Sequence, residues 1–275
     1  MLVVPGSGVS KSPDAADCVT PAEQVESATQ STGVRGEHRV AGKTTLTLPV
    51  AETFQSRQGE GALTGIDSHF IRTSGCNLRC WFCDTPYASW QPQGESRTVA
   101  SLVTECLASG ANHVVLTGGE PLLPRNTPAL VHALRTSGLH VTIETAGTID
   151  VQLGCDLLSL SPKLANSTPD AEKHPAWSKR HESRRMPIEI MRRLIDQATQ
   201  HQVKFVVSLA DQMDEITALV NALHVAADQV WLMPQGVTVN EMDAAQQWLQ
   251  PLAESAGYRY CDRMQIRWFG NRRGT

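Results

Sequence analysis

The chain has 275 residues, 41% hydrophobic and 19% charged, enough to bury the core of one α/β barrel or of two small domains. Its net charge of −4 argues against a nucleic-acid binder held by phosphate contacts, and no apolar run is long enough for a helical membrane span. Seven cysteines are too few for a secreted disulfide scaffold, and Met1–Gly6 lacks the basic and apolar regions of a signal peptide, so a cytoplasmic setting is expected.

Residues 1–45 are rich in Ser, Thr, Gly, Ala and Glu with few large apolar side chains, and read as a disordered tail; residues 46–275 form the folded domain. Order begins in the extended segment Leu46–Val50 and continues through Glu52–Ser56. Strands are expected at Ile66–Thr73, His113–Thr117, His140–Glu144, Leu157–Ser161, Val203–Ser208, Gln229–Met233 and Met264–Phe269. Helices are expected at Thr98–Ser109, Asn126–Ser137, Pro187–Gln200, Met213–Leu223 and Asn240–Gly257. Such alternation builds parallel βαβ units. With no G-x-G-x-x-G after the first strand, a full or partial βα barrel fits better than an open nucleotide-binding sheet. The segment Leu164–Met186 has Lys173, Lys179, Arg180, Arg184 and Arg185 around Trp177 and reads as a long basic loop, a candidate lid over the barrel mouth.

The chemistry is concentrated in one short stretch. Cys76, Cys80 and Cys83 have the spacing C-x3-C-x2-C, while Cys18, Cys106, Cys155 and Cys261 are scattered. Three inward-facing thiolates in one loop call for a cationic partner, either zinc or an iron–sulfur cluster. Structural zinc usually takes four ligands, and no second cysteine pair follows. Three cysteines on a four-iron cluster would instead leave one iron open to a small molecule. Gly118-Gly119-Glu120-Pro121, Glu144-Thr145, Ser161-Pro162-Lys163 and Met233-Pro234-Gln235-Gly236 each follow a strand, at the end where barrel enzymes place their active sites.

The cysteine spacing, the aromatic Phe82 before the last cysteine and the Gly-Gly-Glu-Pro element together resemble the radical S-adenosylmethionine (SAM) superfamily. Phe54–Gly61, Phe70–Arg72, Cys83-Asp84-Thr85, Ser159–Lys163, Leu232–Pro234 and Trp268–Thr275 further resemble the 7-carboxy-7-deazaguanine synthases. The resemblance covers roughly Val50 to Thr275 and implies a partial, open βα barrel with mostly parallel strands. It implies a [4Fe–4S] cluster on Cys76, Cys80 and Cys83, with SAM on the open iron as the source of a 5′-deoxyadenosyl radical. The implied reaction converts 6-carboxy-5,6,7,8-tetrahydropterin to 7-carboxy-7-deazaguanine with loss of ammonia, assisted by Mg²⁺ and with SAM regenerated, in the biosynthesis of queuosine and other deazapurines.

The same resemblance distributes roles. SAM would be held by Phe82, Cys83, Asp84, Gly119, Glu120, Ser161, Lys163, Met233, Pro234, Gln235 and Gly236, with Glu120 against its ammonium. Substrate would be held by Arg57, Gln58, Gly59, Glu60, Arg72, Thr117 and the Thr275 carboxylate, and Mg²⁺ by Thr85. A guanidinium such as that of Arg72 can grip a carboxylate bidentately. Methionine at position 233, where some relatives carry glutamine, leaves any polar contact there to the backbone. No side chain is assigned an acid–base role. A flavodoxin- or ferredoxin-type reductant and a homodimer are also implied. The runner-up readings are a glycyl-radical-enzyme activase and a zinc-stabilised interaction module.

Overall fold

The computed structural model describes residues 45–275, so the expected N-terminal tail lies outside the described residues, Thr45 apart. The strands are β1 (Thr47–Arg57), β2 (Asp67–Thr73), β3 (Glu95–Thr98), β4 (His113–Gly118), β5 (His140–Thr145), β6 (Leu157–Leu160), β7 (Gln200–Val207), β8 (Val230–Pro234) and β9 (Arg259–Tyr260). They form one open sheet in the order β3-β1-β2-β4-β5-β6-β7-β8-β9. From β2 to β9 every pairing is parallel, and β1 pairs antiparallel with both β2 and β3. This is the expected partial barrel, with an antiparallel edge added in front of the first parallel strand.

The period-two alternation of strands sorts their side chains. Ile71, Leu116, Ile143, Val203, Phe205 and Leu232 belong to the apolar core. Helices α1 (Val99–Ser109), α2 (Thr127–Thr136), α4 (Ile188–Gln197), α5 (Met213–Leu223) and α6 (Val239–Ser255) contribute Leu102, Leu130, Leu134, Met191, Leu194, Ile216 and Leu249 to the same core. The alternate positions Phe70, Arg72, Thr117, Glu144, Lys204 and Val206 line a cavity instead. A polar residue set into an apolar strand therefore marks the inner face. Local signals start and stop the helices. Thr98 accepts from Ser101 N, Thr238 and Glu241 form a capping box, and Gly110 ends α1 at φ 75°.

Three expected elements differ. Met264–Phe269 is a helix, α7, not a strand; the final strand is the two-residue β9 just before it. A six-residue apolar–polar mix fits either period, and α7 buries only Ile266 deeply. The expected helix Pro187–Gln200 stops at Gln197, because Gln200 already begins β7. The basic segment Leu164–Met186 is not one long loop, since it contains helix α3 (Pro175–Arg184). Among the described residues, no helix is long and apolar enough to cross a membrane.

At the N-terminal edge of the parallel strands His113 is buried. The Ser68 hydroxyl donates to the Ile66 carbonyl, which leaves a lone pair for the His113 Nδ1–H at 2.6 Å, and His113 Nε2 accepts from Thr142 at 2.8 Å. Burial, and then His140 beside it, push its pKa down to about 4; burial does the same to His181. A histidine depressed in the folded state contributes stability above its unfolded pKa and loses it as pH falls toward the folded one. Between pH 7 and 4 the chain should thus lose on the order of 1–3 kcal/mol per buried histidine. Denaturant melts at pH 7.5 and 5 measure this, and His113→Gln should flatten part of the slope.

Candidate active site

The cysteine loop leaves the C-terminal end of β2 through Gly75, whose φ of 101° suits glycine. Protein contacts fix the loop. Arg79 Nη1 donates to the carbonyls of Cys76 and Leu78, each at 2.7 Å, and its guanidinium lies 4.0 Å from the centre of the Trp177 ring. The Arg79 amide donates to His181 Nδ1 at 3.1 Å, so His181 Nε2–H is left to donate to Ser167 Oγ at 2.8 Å. Trp81 donates through its amide to Ser167 O and through Nε1 to Asn166 O, and Trp90 Nε1 donates to Cys80 O. The segment expected as a lid is thus a buttress behind the cysteines.

All three cysteines are free, and all line one cavity of about 480 Å³, within the range of small-molecule sites. Burial pushes the Cys76 thiol up to about 12 and the Cys80 thiol up to about 11. As thiolates they need a cationic centre between them, which an iron–sulfur cluster supplies. Among the described residues no three His, Cys, Asp or Glu side chains converge on a single ion. Cys76, Cys80 and Cys83 line one cavity, so the residues present fit a cluster held by cysteine thiolates.

Around the cysteines the cavity has a rim and a floor. Thr85, Gly119, Ser161, Lys163, Met233 and Gln235 line it near the C-terminal strand ends. Gly119 sits where two loops meet. Its amide donates to Thr73 O at 3.2 Å, and a Cβ there would strike the carbonyl oxygens of Gly75 and Ala88. The Thr85 hydroxyl lies 3.7 Å from Cys83 Sγ, and Lys163 Nζ donates to the Ser161 hydroxyl and carbonyl at 2.7 Å. Gln58, Gly59 and Glu60 come from the opposite end. Because β1 runs antiparallel to β2, with Arg57 facing Asp67, the loop after β1 plugs the N-terminal edge of the sheet. Arg57, Phe82, Asp84, Arg72, Thr117 and Thr275 also line the cavity.

Three expected SAM contacts do not line it. Glu120 is fully buried, and its carboxylate accepts from Thr145 Oγ1 at 2.6 Å and from the amides of Leu122 and Ala146 at 3.0 Å. It braces the turn after β5, next to the cavity residues Cys76 and Lys163, and burial raises its pKa. Pro234 is buried within β8, and the Gly236 carbonyl accepts from Arg263. Asp84, expected on SAM, is ion-paired with Arg263.

The sequence reading missed the charges that hold the floor. Glu60 accepts from Lys204, from Gln265 Nε2 at 2.6 Å and from Arg263 Nε at 3.3 Å. Burial alone would raise its pKa, but Lys204 and Arg263 beside it hold the carboxyl well below the usual range. Gln58 accepts from the Glu60 amide and donates to Glu144 Oε1 at 3.0 Å. Arg72 Nε donates to Glu52 at 2.8 Å; Glu52 also accepts from Tyr87 OH at 2.6 Å and from Arg273 Nε at 3.0 Å. This leaves the outer nitrogens of Arg72 for a ligand and straps the C-terminal segment across the cavity. The available signal was a lone lysine in the apolar run of β7.

Residues 70–217 match the Radical SAM superfamily. The chain is 61% identical over 228 residues to the 7-carboxy-7-deazaguanine synthase of Rhodopirellula baltica, covering 83% of this chain and 89% of that one. It is 44% identical over 230 residues to the 7-carboxy-7-deazaguanine synthase of Halobacterium salinarum, covering 80% and 89%. The crystal structure of QueE from Escherichia coli superposes with a TM-score of 0.56 at 22% identity, covering 78% of this chain and 93% of that chain, a likeness of fold.

Proposed function

This chain belongs to the 7-carboxy-7-deazaguanine synthases of the radical SAM superfamily, and from that premise we propose that it converts 6-carboxy-5,6,7,8-tetrahydropterin to 7-carboxy-7-deazaguanine with loss of ammonia. The observation that carries the reading is a single cavity whose rim holds three free cysteines and whose floor holds an anionic glutamate and an amide. Bound there, the cluster and SAM would supply the 5′-deoxyadenosyl radical that starts the reaction.

The chain's own residues bind and orient. Cys76, Cys80 and Cys83 would hold the cluster, and Gly118 and Gly119, packed without side chains against Thr73, Gly75 and Ala88, form the cavity wall on the SAM side. Ser161, Lys163, Met233 and Gln235 line the SAM side. Glu60, kept ionised by its two cations, accepts from the N–H edge of the pterin, with Gln58 beside it. Arg72 takes the substrate carboxylate on its free nitrogens, and Thr117 and Thr275 complete the wall.

The Thr85 hydroxyl is a hard oxygen ligand suited to Mg²⁺, which keeps most of its waters. Thr85→Ala should raise the Mg²⁺ concentration for half-maximal turnover by about ten- to a hundredfold. An unchanged magnesium titration would place the ion elsewhere. The electron comes from a reductant of the flavodoxin or ferredoxin class and the enzyme works as a homodimer, both as the resemblance implies, and its free thiols and cluster suit the cytoplasm. The decisive assay is anaerobic incubation of cluster-loaded protein with SAM, Mg²⁺, dithionite and the carboxypterin. Deazaguanine product is expected; its absence would discard the reading.

A further inference from the structure

One buried cation has bonds that run the depth of the cavity. Arg263, only 7% exposed, donates through Nε to Glu60 on the floor, through Nη2 to Asp84 in the cysteine loop, and through Nη1 to the Gly236 carbonyl at 2.6 Å. These three acceptors lie on three separate loops, 203, 179 and 27 residues away in sequence. Asp84 sits between Cys83 and Thr85, so any movement of it reaches a cluster sulfur and the hydroxyl beside it. Resting on the functional reading above, we propose that Arg263 is a positioning residue that fixes the substrate end of the cavity against the cofactor end, so that radical formation stays coupled to product.

The chemistry of the group favours this role. Buried ion pairs add little net stability, since desolvation offsets their attraction, so the triple contact is better understood as geometry. A planar guanidinium with five donors can hold three acceptors at set separations, which the point charge of a lysine cannot. The contacts also divide the consequences of removing it. Glu60 would keep Lys204 and Gln265, and so its place and its charge. Asp84, whose side chain is 36% exposed, would trade the guanidinium for water and drift. The loss should therefore fall on registration between the two halves rather than on substrate affinity.

Arg263→Gln in the cluster-loaded enzyme tests this. Its iron content and its carboxypterin affinity, read by equilibrium dialysis without SAM, should stay within about threefold of wild type, while turnover falls about a hundredfold. Wild type returns its SAM and so releases little free 5′-deoxyadenosine; the variant should accumulate at least about tenfold more of it per deazaguanine. A wild-type ratio would overturn the proposal, as would a loss of pterin affinity matching the loss of turnover. If Arg263→Gln takes up no iron, Arg263→Lys decides, since it keeps the charge but not the fork. Raised 5′-deoxyadenosine in that variant supports the proposal; full coupling, or a second failure to hold iron, overturns it. A wild-type enzyme that makes no deazaguanine would instead fault the functional reading itself.

Discussion

Cys80→Ala is expected to yield a folded protein with no iron–sulfur absorbance and with turnover below about one ten-thousandth of wild type. The three sulfurs come from one loop, and the remaining described cysteines cannot substitute. Cys106 and Cys155 are buried in the core behind the sheet, and Cys261 is buried with its sulfur accepting from the Gly61 amide at 3.0 Å. Removing one sulfur leaves two ligands for a cluster that needs three from the protein. The fold should survive, because the loop's shape rests on Arg79, Trp81 and Trp90 rather than on metal. Iron analysis, circular dichroism and the product assay check the three parts separately. A Cys80→Ala enzyme that kept both cluster and turnover would remove this loop from the centre of the mechanism.

Gly119→Ala should be nearly as damaging through packing alone. A methyl group at that position meets the carbonyl oxygens of Gly75 and Ala88, which are backbone atoms that cannot rotate aside. The same three strands of chain are stitched together there, since Gly75 N donates to Ala88 O at 2.8 Å and Glu120 N to Gly75 O at 2.9 Å. Forcing them apart should cost on the order of 3 kcal/mol and displace the start of the cysteine loop. A shift of about 1 Å at a reacting centre is enough for a hundredfold loss of rate. Gly154→Ala is the control, because its Cβ would meet only Arg135 Nη1 at 3.2 Å, the end of a long side chain, and, at 3.8 Å, the Gln197 carbonyl. Denaturant melts and SAM binding by equilibrium dialysis should separate the two substitutions clearly. Equal behaviour would mean that the Gly75–Gly119 junction tolerates expansion.

How far the sequence revealed this site depended on how local each part was. The strands β4 to β8 were legible because buried parallel strands are short, nearly continuous apolar runs with turn residues at both ends. The rim was legible because its residues lie directly after those strands. Met264–Phe269 was not, since six residues carry too little periodicity to choose a helix over a strand. The charge partners of Glu60 on the floor were hidden for another reason. Lys204 and Glu60 are 144 residues apart, and Arg273 reaches Glu52 across 221. Only the antiparallel turn of β1 and the return of the chain after β9 bring these charges together. Glu120 shows the complementary limit. Its motif was plain, yet its direction was set by Thr145 and Ala146, which a motif does not specify.

The buttress of α3 also has a consequence for how the enzyme is matured. His181, Trp177 and Ser167 hold the cysteine loop through hydrogen bonds and a cation–π contact, so the polypeptide is expected to finish folding before iron and sulfide are delivered, which circular dichroism of the iron-free protein checks. Metal insertion would then be the loading of a ready vessel, unlike a zinc finger, whose fold depends on the binding energy of its ion. Oxygen damage would accordingly leave an empty but repairable shell.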